Sequence, residues 1–480
     1  MRKITAFTIC IVSYLGVFGQ QNLGIQNSNY SGIQGALLNP SSIAGSKLKF
    51  DVNFFSTSET FANDFLYAPK SSLNFLGFKR IIKGAIDEDL FLPRYDNSNP
   101  NKLYNVTFQT QILGPSFFMK IKDKNKHEHE LGLTIAARAS ANIQNITGNI
   151  AINAFDYFLA SNIWNTNFSD NSARINTMGW LEYGLHYATV LHEDSKSQFK
   201  GGISVNYLQG AFAAYVKNTH INYNIVDTTS ITFANTSVDY GRTDYDDFKG
   251  NHPHHTTHGH GVGMDIGFTY VRKLDEAAGQ SNGKSQSDAD KINYLYRIGL
   301  SLIDIGSINY NNNTATYHLE ASAANFANWH DNVFTSNSTI DRTLSSVFYN
   351  GDSTKSQTGN SFKMALPAAI SLQGDYNLGR NYFGNITIIK GFGHGDNNGV
   401  KRPDIYSFTP RYEKRDWEVS IPFSVISYGH TNVRMGIAGR YKYFFIGGDA
   451  PGALLKLHDL NGVDFYAGVH FYIPEKNTSH

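Results

Sequence analysis

Five of the 17 histidines crowd into nine residues, as His252, His254, His255, His258 and His260, with Asp244, Asp246 and Asp247 shortly before them. Neutral imidazoles suit Zn, Cu or Ni, and dense histidine tracts take up such metals even when flexible. These five are the candidate metal ligands. A defined centre also needs fixed ligand geometry and outer partners that orient each ring. Pro253 and the neighbouring Gly and Thr residues supply neither, so the tract is read as a mobile loop in preference to a metal loop. His127 and His129 sit in a Lys/Glu-rich turn and are read as solvated.

Catalytic patterns are scarce. The chain has no His-Glu-x-x-His pair and no Walker sequence. Gly259, Gly261, Gly263 and Gly267 miss the dinucleotide spacing and are expected to relieve crowding on one face of a strand. The expectation is not an enzyme, and no cofactor is implied. With 41 basic and 40 acidic residues and a net charge of +1, no bulk attraction to nucleic acid exists either.

The elements that would position any site are strands, read from strict alternation. Leu48, Phe50, Val52 and Phe54 share one face, against Lys47, Lys49, Asp51 and Asn53. Val262, Met264, Ile266, Phe268 and Tyr270 oppose Gly263, Asp265, Gly267 and Thr269. Val463, Phe465, Ala467, Val469, Phe471 and Ile473 oppose Asp464, Tyr466, Gly468, His470 and Tyr472. Segments 202–207 and 418–426 repeat the pattern. Further strands are expected near 103–111, 115–122, 130–142, 176–190, 211–225, 229–239, 294–306, 366–378, 382–390, 404–412 and 433–446. Many of these segments run nine to twelve residues, about the length a tilted strand needs to cross a bilayer. Helical apolar spacing breaks in at 81–90, 150–159 and 340–348, and is assigned to loop helices on the rim rather than to a lumenal plug. Polar connections are expected at 123–129, 191–198, 272–291, 311–360 and 391–403.

Composition agrees with a wall that has one apolar and one wet face. Charged residues are 17% and aromatics 14%, with 28 Tyr, 33 Phe and 43 Gly, yet mean hydropathy is −0.33. No uninterrupted apolar run of about 18 residues follows the N-terminus, which excludes helical spans. Antiparallel strands of this length cannot leave apolar edges unpaired, so the sheet is expected to close. The fold class is therefore all-β, a transmembrane antiparallel β-barrel in the outer membrane. In it Asp51, Asp265 and Asp464 face the lumen. They either line a polar path or, the favoured reading, form ladders with inward Lys47, Lys49 or Arg residues.

Several motifs resemble one class of barrel. Leu37-Leu38-Asn39-Pro40, followed by Ser41-Ser42-Ile43-Ala44, resembles the Asn-Pro-Ala start of Bacteroidota outer-membrane barrels. Those barrels are related to long-chain fatty-acid transporters and to barrel subunits of type IX secretion. Gly263 to Tyr270 is similar to their Gly-x-Asp-x-Gly-x-x-Tyr strand, and Leu366-Pro367 before Gly374-Asp375-Tyr376 to their Leu-Pro…Gly-x-x-Tyr strand. Phe444 to Asp449, with Asp464 to Gly468, resembles the C-terminal part of an uncharacterised family of this kind, a domain of unknown function. The resemblance implies about fourteen strands, within a range of roughly 12–18, and no reaction. It implies a transporter or channel for small or hydrophobic solutes, with a non-transporting scaffold for secretion or surface-protein attachment as the alternative. The partners expected are outer-membrane lipid and either a hydrophobic small molecule or a secretion-system protein.

The first residues set the route. Arg2 and Lys3 precede an apolar stretch from Ile4 to Phe18, and Val17-Phe18-Gly19 offers a cleavage site before Gln20. Residues 1–19 thus read as a secretory signal peptide and 20–480 as a single barrel domain. Cys10, the only cysteine, leaves with the leader. Mass spectrometry of the membrane-embedded protein is expected to find a chain that begins at or near Gln20. An intact Met1 on that chain would refute the leader.

Overall fold

β-Branched and aromatic residues that alternate with small or polar ones favour extended chain, and a strand apolar on one face needs an apolar medium there. In the computed structural model such strands close into one antiparallel barrel of fourteen. The structure describes residues 22–71, 91–124, 127–155, 164–244, 257–274, 292–327, 336–428 and 430–474.

Strand β1 is Leu48–Asn63. β2 runs Leu103–Leu113 and, after Gly114-Pro115, Ser116–Lys122 in the same register against β1. β3 is Glu128–Thr147, β4 Arg174–Glu193, and β5 the 29-residue Ser197–Ile225. β6 comes in two pieces, Ile231–Thr243 and Gly259–Lys273, both paired to β5. β7 is Tyr294–Tyr310 continued by Thr314–Phe326, and β8 is Gln357–Gly359, Phe362–Ala365 and Ala369–Gly379. The remaining strands are shorter. β9 is Tyr382–Gly391, β10 Asp404–Glu413, and β11 Trp417–Ser420 with Phe423–Tyr428. β12 is His430–Met435 with Ile437–Tyr441, β13 Phe444–Gly448, and β14 Gly462–Pro474. Each strand pairs with the next, and β14 pairs with β1 from Leu48↔Pro474 to Phe55↔Val469, so no edge remains.

The two ends of the barrel differ. At one, the turns are short: 123–127, 194–196, 380–381, 414–416 and 442–443, with 274–293 longer. Arg380 and Asn381 both adopt positive φ, 53° and 70°, as the two-residue hairpin turn that suits strand twist requires. A short helix α1 (Ile33–Ala36) precedes β1, and at the other end lie the long connections and the helices α2 (Gly148–Phe155), α3 (Asn337–Phe348) and α4 (Ala450–Leu454). β5, β6 and β7 extend furthest toward this loop end, where Phe348 of α3 packs on Val238 and Leu319.

Parity decides which side chains meet lipid. Val262 and Phe268 are exposed and Gly263, Asp265, Gly267 and Thr269 are buried, as the alternation predicts. Leu185, Val205, Ile298, Ile386 and Val433 continue the outward apolar belt. At the turn end, Tyr382, Tyr412 and Trp417 lie with ring centroids 4.8 and 4.9 Å apart, and Tyr270 faces Tyr296 at 6.2 Å. Outer-membrane barrels carry such aromatic girdles at the bilayer interface. No helix among the described residues is long and apolar enough to span.

Some expectations change. Leu48 is fully buried and Lys49 exposed, because register shifts between Leu48 and Phe50 and between Asn53 and Phe55 reset the parity of β1. Segment 311–360 is not a polar connection: it carries the outer parts of β7 and β8 and helix α3. Segments 202–207 and 211–225 are one strand, whereas 433–446 spans a turn. The expected helix at 150–159 is α2, at the loop end, and 81–90 lies outside the described residues.

Arginine at Ile266, which lies between Ile203 and Leu302 of the flanking strands, is expected to cost about 2–4 kcal/mol of barrel stability. The same replacement at Leu378, near the turn end of β8, is expected to cost about 0–1 kcal/mol. Reversible urea unfolding in lipid vesicles checks both. Equal costs would show that depth in a bilayer is not what the two positions sense.

Candidate functional site

A barrel of eight strands can be filled by its own side chains, and one of fourteen is too wide for that. Here residues 22–46, ahead of β1, turn back into the lumen and fill its turn-end half. The segment holds no Asp, Glu, Lys, Arg or His. Its apolar pegs are Ile25, Ile33, Leu38 and Ile43, all at most 3% exposed. Each is worth roughly 1.5–3 kcal/mol of burial. Ile33 and Ile43 pack with Leu48, Phe118 and Ala188, and Leu38 packs with Ile303, Ile389, Ile405 and Ile426.

Polar groups of this plug solvate charges on the wall. Ile33 N–H donates to Asp51 Oδ1 at 2.9 Å and Gly45 N–H to Glu130 Oε1 at 2.9 Å. Ser28 Oγ donates to Glu418 Oε2 at 2.7 Å and Asn29 N–H to Glu413 Oε1 at 3.3 Å. In return Lys120 Nζ donates to Ser46 O at 2.8 Å, Arg297 to Asn27 O, and Arg440 covers the Tyr30 ring at 4.9 Å. Asn27 also donates to Thr387 Oγ1 at 2.9 Å.

The Asn39-Pro40-Ser41 turn is the most closely fitted part. Asn39 Nδ2 donates to Gln373 Oε1 at 3.0 Å, and its Oδ1 accepts from Ser41 N–H, capping the 3-10 turn Pro40–Ile43. Gly202 of β5 faces this turn, and a Cβ there would come within 2.4 Å of the Pro40 carbonyl carbon. Gly32, at φ +59°, is equally constrained, since a Cβ would reach 2.3 Å from the Asp51 carboxyl. Asp51 is thereby held between Ile33 N–H and His470 Nδ1, the latter 3.0 Å away.

From the loop end, residues 392–403 between β9 and β10 dip into the lumen. Val400 joins an apolar layer with Trp180, Leu208, Ile308, Tyr310 and Leu366. Lys401 N–H donates to Asn142 Oδ1 at 2.5 Å, and Arg402 Nη2 pairs with Asp304 Oδ2 at 2.5 Å. Asp304 is also bound in a fork by Arg138, at 2.6 and 2.8 Å, and Arg138 reaches Glu182 at 2.9 Å. Asp304 sits at φ 57° beside a register shift opposite Asp265, a backbone state that costs about 1–3 kcal/mol and that this carboxylate's partners must offset. Asp265 accepts from Asp304 N–H at 2.7 Å and from Asn206 Nδ2 at 3.0 Å.

Plug and loop meet at a cavity of about 30 Å³. Gln26, Leu37 and Leu38 line it from the plug, and Arg138, Glu182, His186, Asp265, Asp304 and Arg402 from the wall and the loop. That volume holds about two waters. Among the described residues, plug and loop thus close on a small charged chamber from both ends.

Of the residues singled out in the sequence, Asp265 lines this chamber, Asp51 grips the plug, and Asp464 lies toward the loop end. There Thr60 Oγ1 donates to Asp464 at 3.0 Å, and Asp464 N–H bonds to Asp449, the partner of Arg434. The three do not form one site. None of the three pairs directly with an arginine among the described residues: Asp51 meets His470, Asp464 reaches Arg434 only through Asp449, and Lys49 points outward. His258 is buried, its N–H donating to Gly210 O and its Nδ1 2.8 Å from Asn312 O, while His260 stacks on Tyr207 on the outer face. His252, His254 and His255 lie outside the described residues, among which no cluster of His, Cys, Asp or Glu could hold a metal. Gly279-Gln280-Ser281-Asn282-Gly283 fits the linear spacing of a nucleophile elbow but also lies outside them.

Fold and lumen define an outer-membrane-type β-barrel closed by its own N-terminal segment. The chain belongs to the family of unknown function DUF5723, whose model matches residues 40–449. Among solved structures it is similar to the Pseudomonas putida toluene transporter TodX at 9% identity, covering 95% of this chain and 99% of that one with TM-score 0.41. It is also similar to the Ralstonia pickettii toluene transporter TbuX at 10%, covering 96% and 99%, with TM-score 0.39. For the transport unit of the Escherichia coli autotransporter AIDA-I the values are 9%, 94% and 99%, and 0.31. No curated protein sequence matches the chain.

Gly202→Ala is expected to dislodge the Asn39–Ile43 turn without opening the barrel. Hydrogen exchange would then show lost protection at the Leu38, Asn39, Ser42 and Ala44 amides, with strands β5 and β6 still protected. Unchanged protection of those four amides would mean that the close approach does not hold the plug.

Proposed function

We propose that this protein is a gated outer-membrane transporter for small solutes, with its short turns toward the periplasm and the free end of its plug as the gate. The observation that carries this reading is the division of the plug into two unlike halves. Residues 33–46 are continuous with β1 and seated by Ile33, Leu38 and Ile43. With the leader cleaved before Gln20, residues 22–30 carry the chain's free end; Leu23, Ile25 and Tyr30 sit in apolar clusters, and side-chain hydrogen bonds from Asn27 and Ser28 with backbone contacts at Gly24 and Asn29 supply the rest of the hold. Such bonds contribute only about 0.5–1.5 kcal/mol net each, because water replaces them when they break. Peeling this half away opens a path from the turn end to the central chamber while the rest of the plug stays seated. The chamber is lined mainly by charged and amide groups, which favours small polar solutes over hydrophobic ones at that point.

Loss of the Asn27 and Ser28 side-chain bonds tests the gate. In planar bilayers in KCl, the wild-type chain is expected to open rarely, and the Asn27→Ala/Ser28→Ala chain at least about tenfold more often, since tenfold corresponds to about 1.4 kcal/mol. A folded double variant as silent as the wild type would overturn transport through the lumen and favour a scaffold that presents its outer loops to a secretion or surface-attachment partner.

A further inference from the structure

Acidic and basic residues are nearly equal in the whole chain, 40 against 41. They are not equal in its interior. Among the described residues, fourteen buried positions hold Asp or Glu and five hold Arg. Adding the less fully buried Lys120, Lys200 and Arg297 leaves the acidic surplus in place. The plug, having no charge, does not offset it; instead it supplies N–H and O–H donors to Asp51, Glu130, Glu413 and Glu418.

The surplus is sharpest at the central chamber. Two guanidiniums, Arg138 and Arg402, face three carboxylates, Glu182, Asp265 and Asp304. Both arginines are committed to Asp304, and Arg138 also to Glu182. Among the described residues no cation lies within ion-pair distance of Asp265, whose partners are a backbone N–H and an amide. One carboxylate, that of Asp265, is therefore left without a cation at the chamber. Peeling of residues 22–30 adds to the surplus, because Glu413 and Glu418 lose the donors of Asn29 and Ser28 and turn to whatever enters.

We infer that the open path selects small cations over anions, with Asp265 as a specificity-determining residue, and that its solutes carry ammonium groups. The inference rests on the gating reading above and names its solute class. A carboxylate surplus along a low-dielectric passage raises the local concentration of counter-ions and repels co-ions.

The full-length Asn27→Ala/Ser28→Ala chain provides the openings for the test. In a KCl gradient its reversal potential is expected to report K⁺ over Cl⁻ by roughly threefold or more, the factor that a potential of one kT sets. Asp265→Asn on that background keeps the conductance and brings the ratio toward one. Glu182→Gln removes a charge from the same chamber and serves if Asp265→Asn fails to assemble. Openings in 1,4-diaminobutane dihydrochloride are expected to carry diamine current, and those in sodium succinate no succinate current. Openings that prefer Cl⁻, or a ratio unmoved by either chamber variant, would overturn cation selection and leave the gate standing. Silence of all variants would overturn the gate itself.

Discussion

The interior of a fourteen-strand barrel must be filled or flooded, and every other feature of the molecule follows from how it is filled. Side chains from the wall do not reach across such a width. A segment driven in as an apolar wedge would strip water from the wall's charges and leave them unsatisfied at several kcal/mol apiece. Residues 22–46 answer both demands at once. Isoleucines and leucines fill the widest gaps, and backbone amides, Asn and Ser stand in for water at Asp51, Glu130, Glu413 and Glu418. Lacking charge of its own, the segment adds no ion that would have to be paired or dehydrated.

The same demand explains the arginines. Arg411 bridges Asp375 and Glu413, Arg440 meets Glu418, and Arg138 with Arg402 clamps Asp304. Buried ion pairs add little net stability, but loss of one partner strands the other at a cost of about 3–5 kcal/mol. These networks therefore fix register more than they strengthen the wall. They tie β3, β4 and β7 to one another across the lumen, and through Arg402 they tie the β9–β10 loop to the same point. An inward loop and the inward segment 22–46, far apart in sequence, thus share one chamber.

Much of the wall was legible in the chain, because a membrane strand exposes one face to lipid and the other to polar groups, and parity records it. The segments 262–270 and 463–473 keep that parity throughout. It failed at Leu48, where two register shifts within eight residues turn an apolar side chain inward to meet Ile33 and Ile43. It also failed at 311–360, whose Asn, Ser and Thr content suits a strand that stands clear of lipid and needs no apolar face. The plug left almost no periodic trace. Its structure depends on partners 200 to 440 residues away, such as Thr269, Gln373 and Tyr466, and only the Asn39-Pro40-Ser41 motif marked the place. Asp265 could be assigned to the lumen by parity. That it lacks a cation could not be read, since this depends on where Arg138 and Arg402 point.

How firmly a lumen is closed depends on which end of the plug is free. Residues 33–46 run into β1, so extracting them means breaking the packing of Ile33, Leu38 and Ile43, together on the order of 4–9 kcal/mol. That corresponds to a fraction open between about a thousandth and a millionth. Under the proposed gating, with the leader cleaved before Gln20, residues 22–30 are untethered on one side and lose hydrogen bonds that water remakes. Leu23, Ile25 and Tyr30 are their buried apolar contacts, so the missing tether and not weaker burial sets this half apart. Motion should thus divide at Ser31-Gly32, where Gly32 already holds a left-handed φ over the Asp51 carboxyl and bears no side chain to obstruct rotation. Asp51 then marks the boundary. Its bonds to Ile33 and His470 hold the seated half, so the proposed gating would bare the central chamber without unfolding the turn that closes the rest of the lumen.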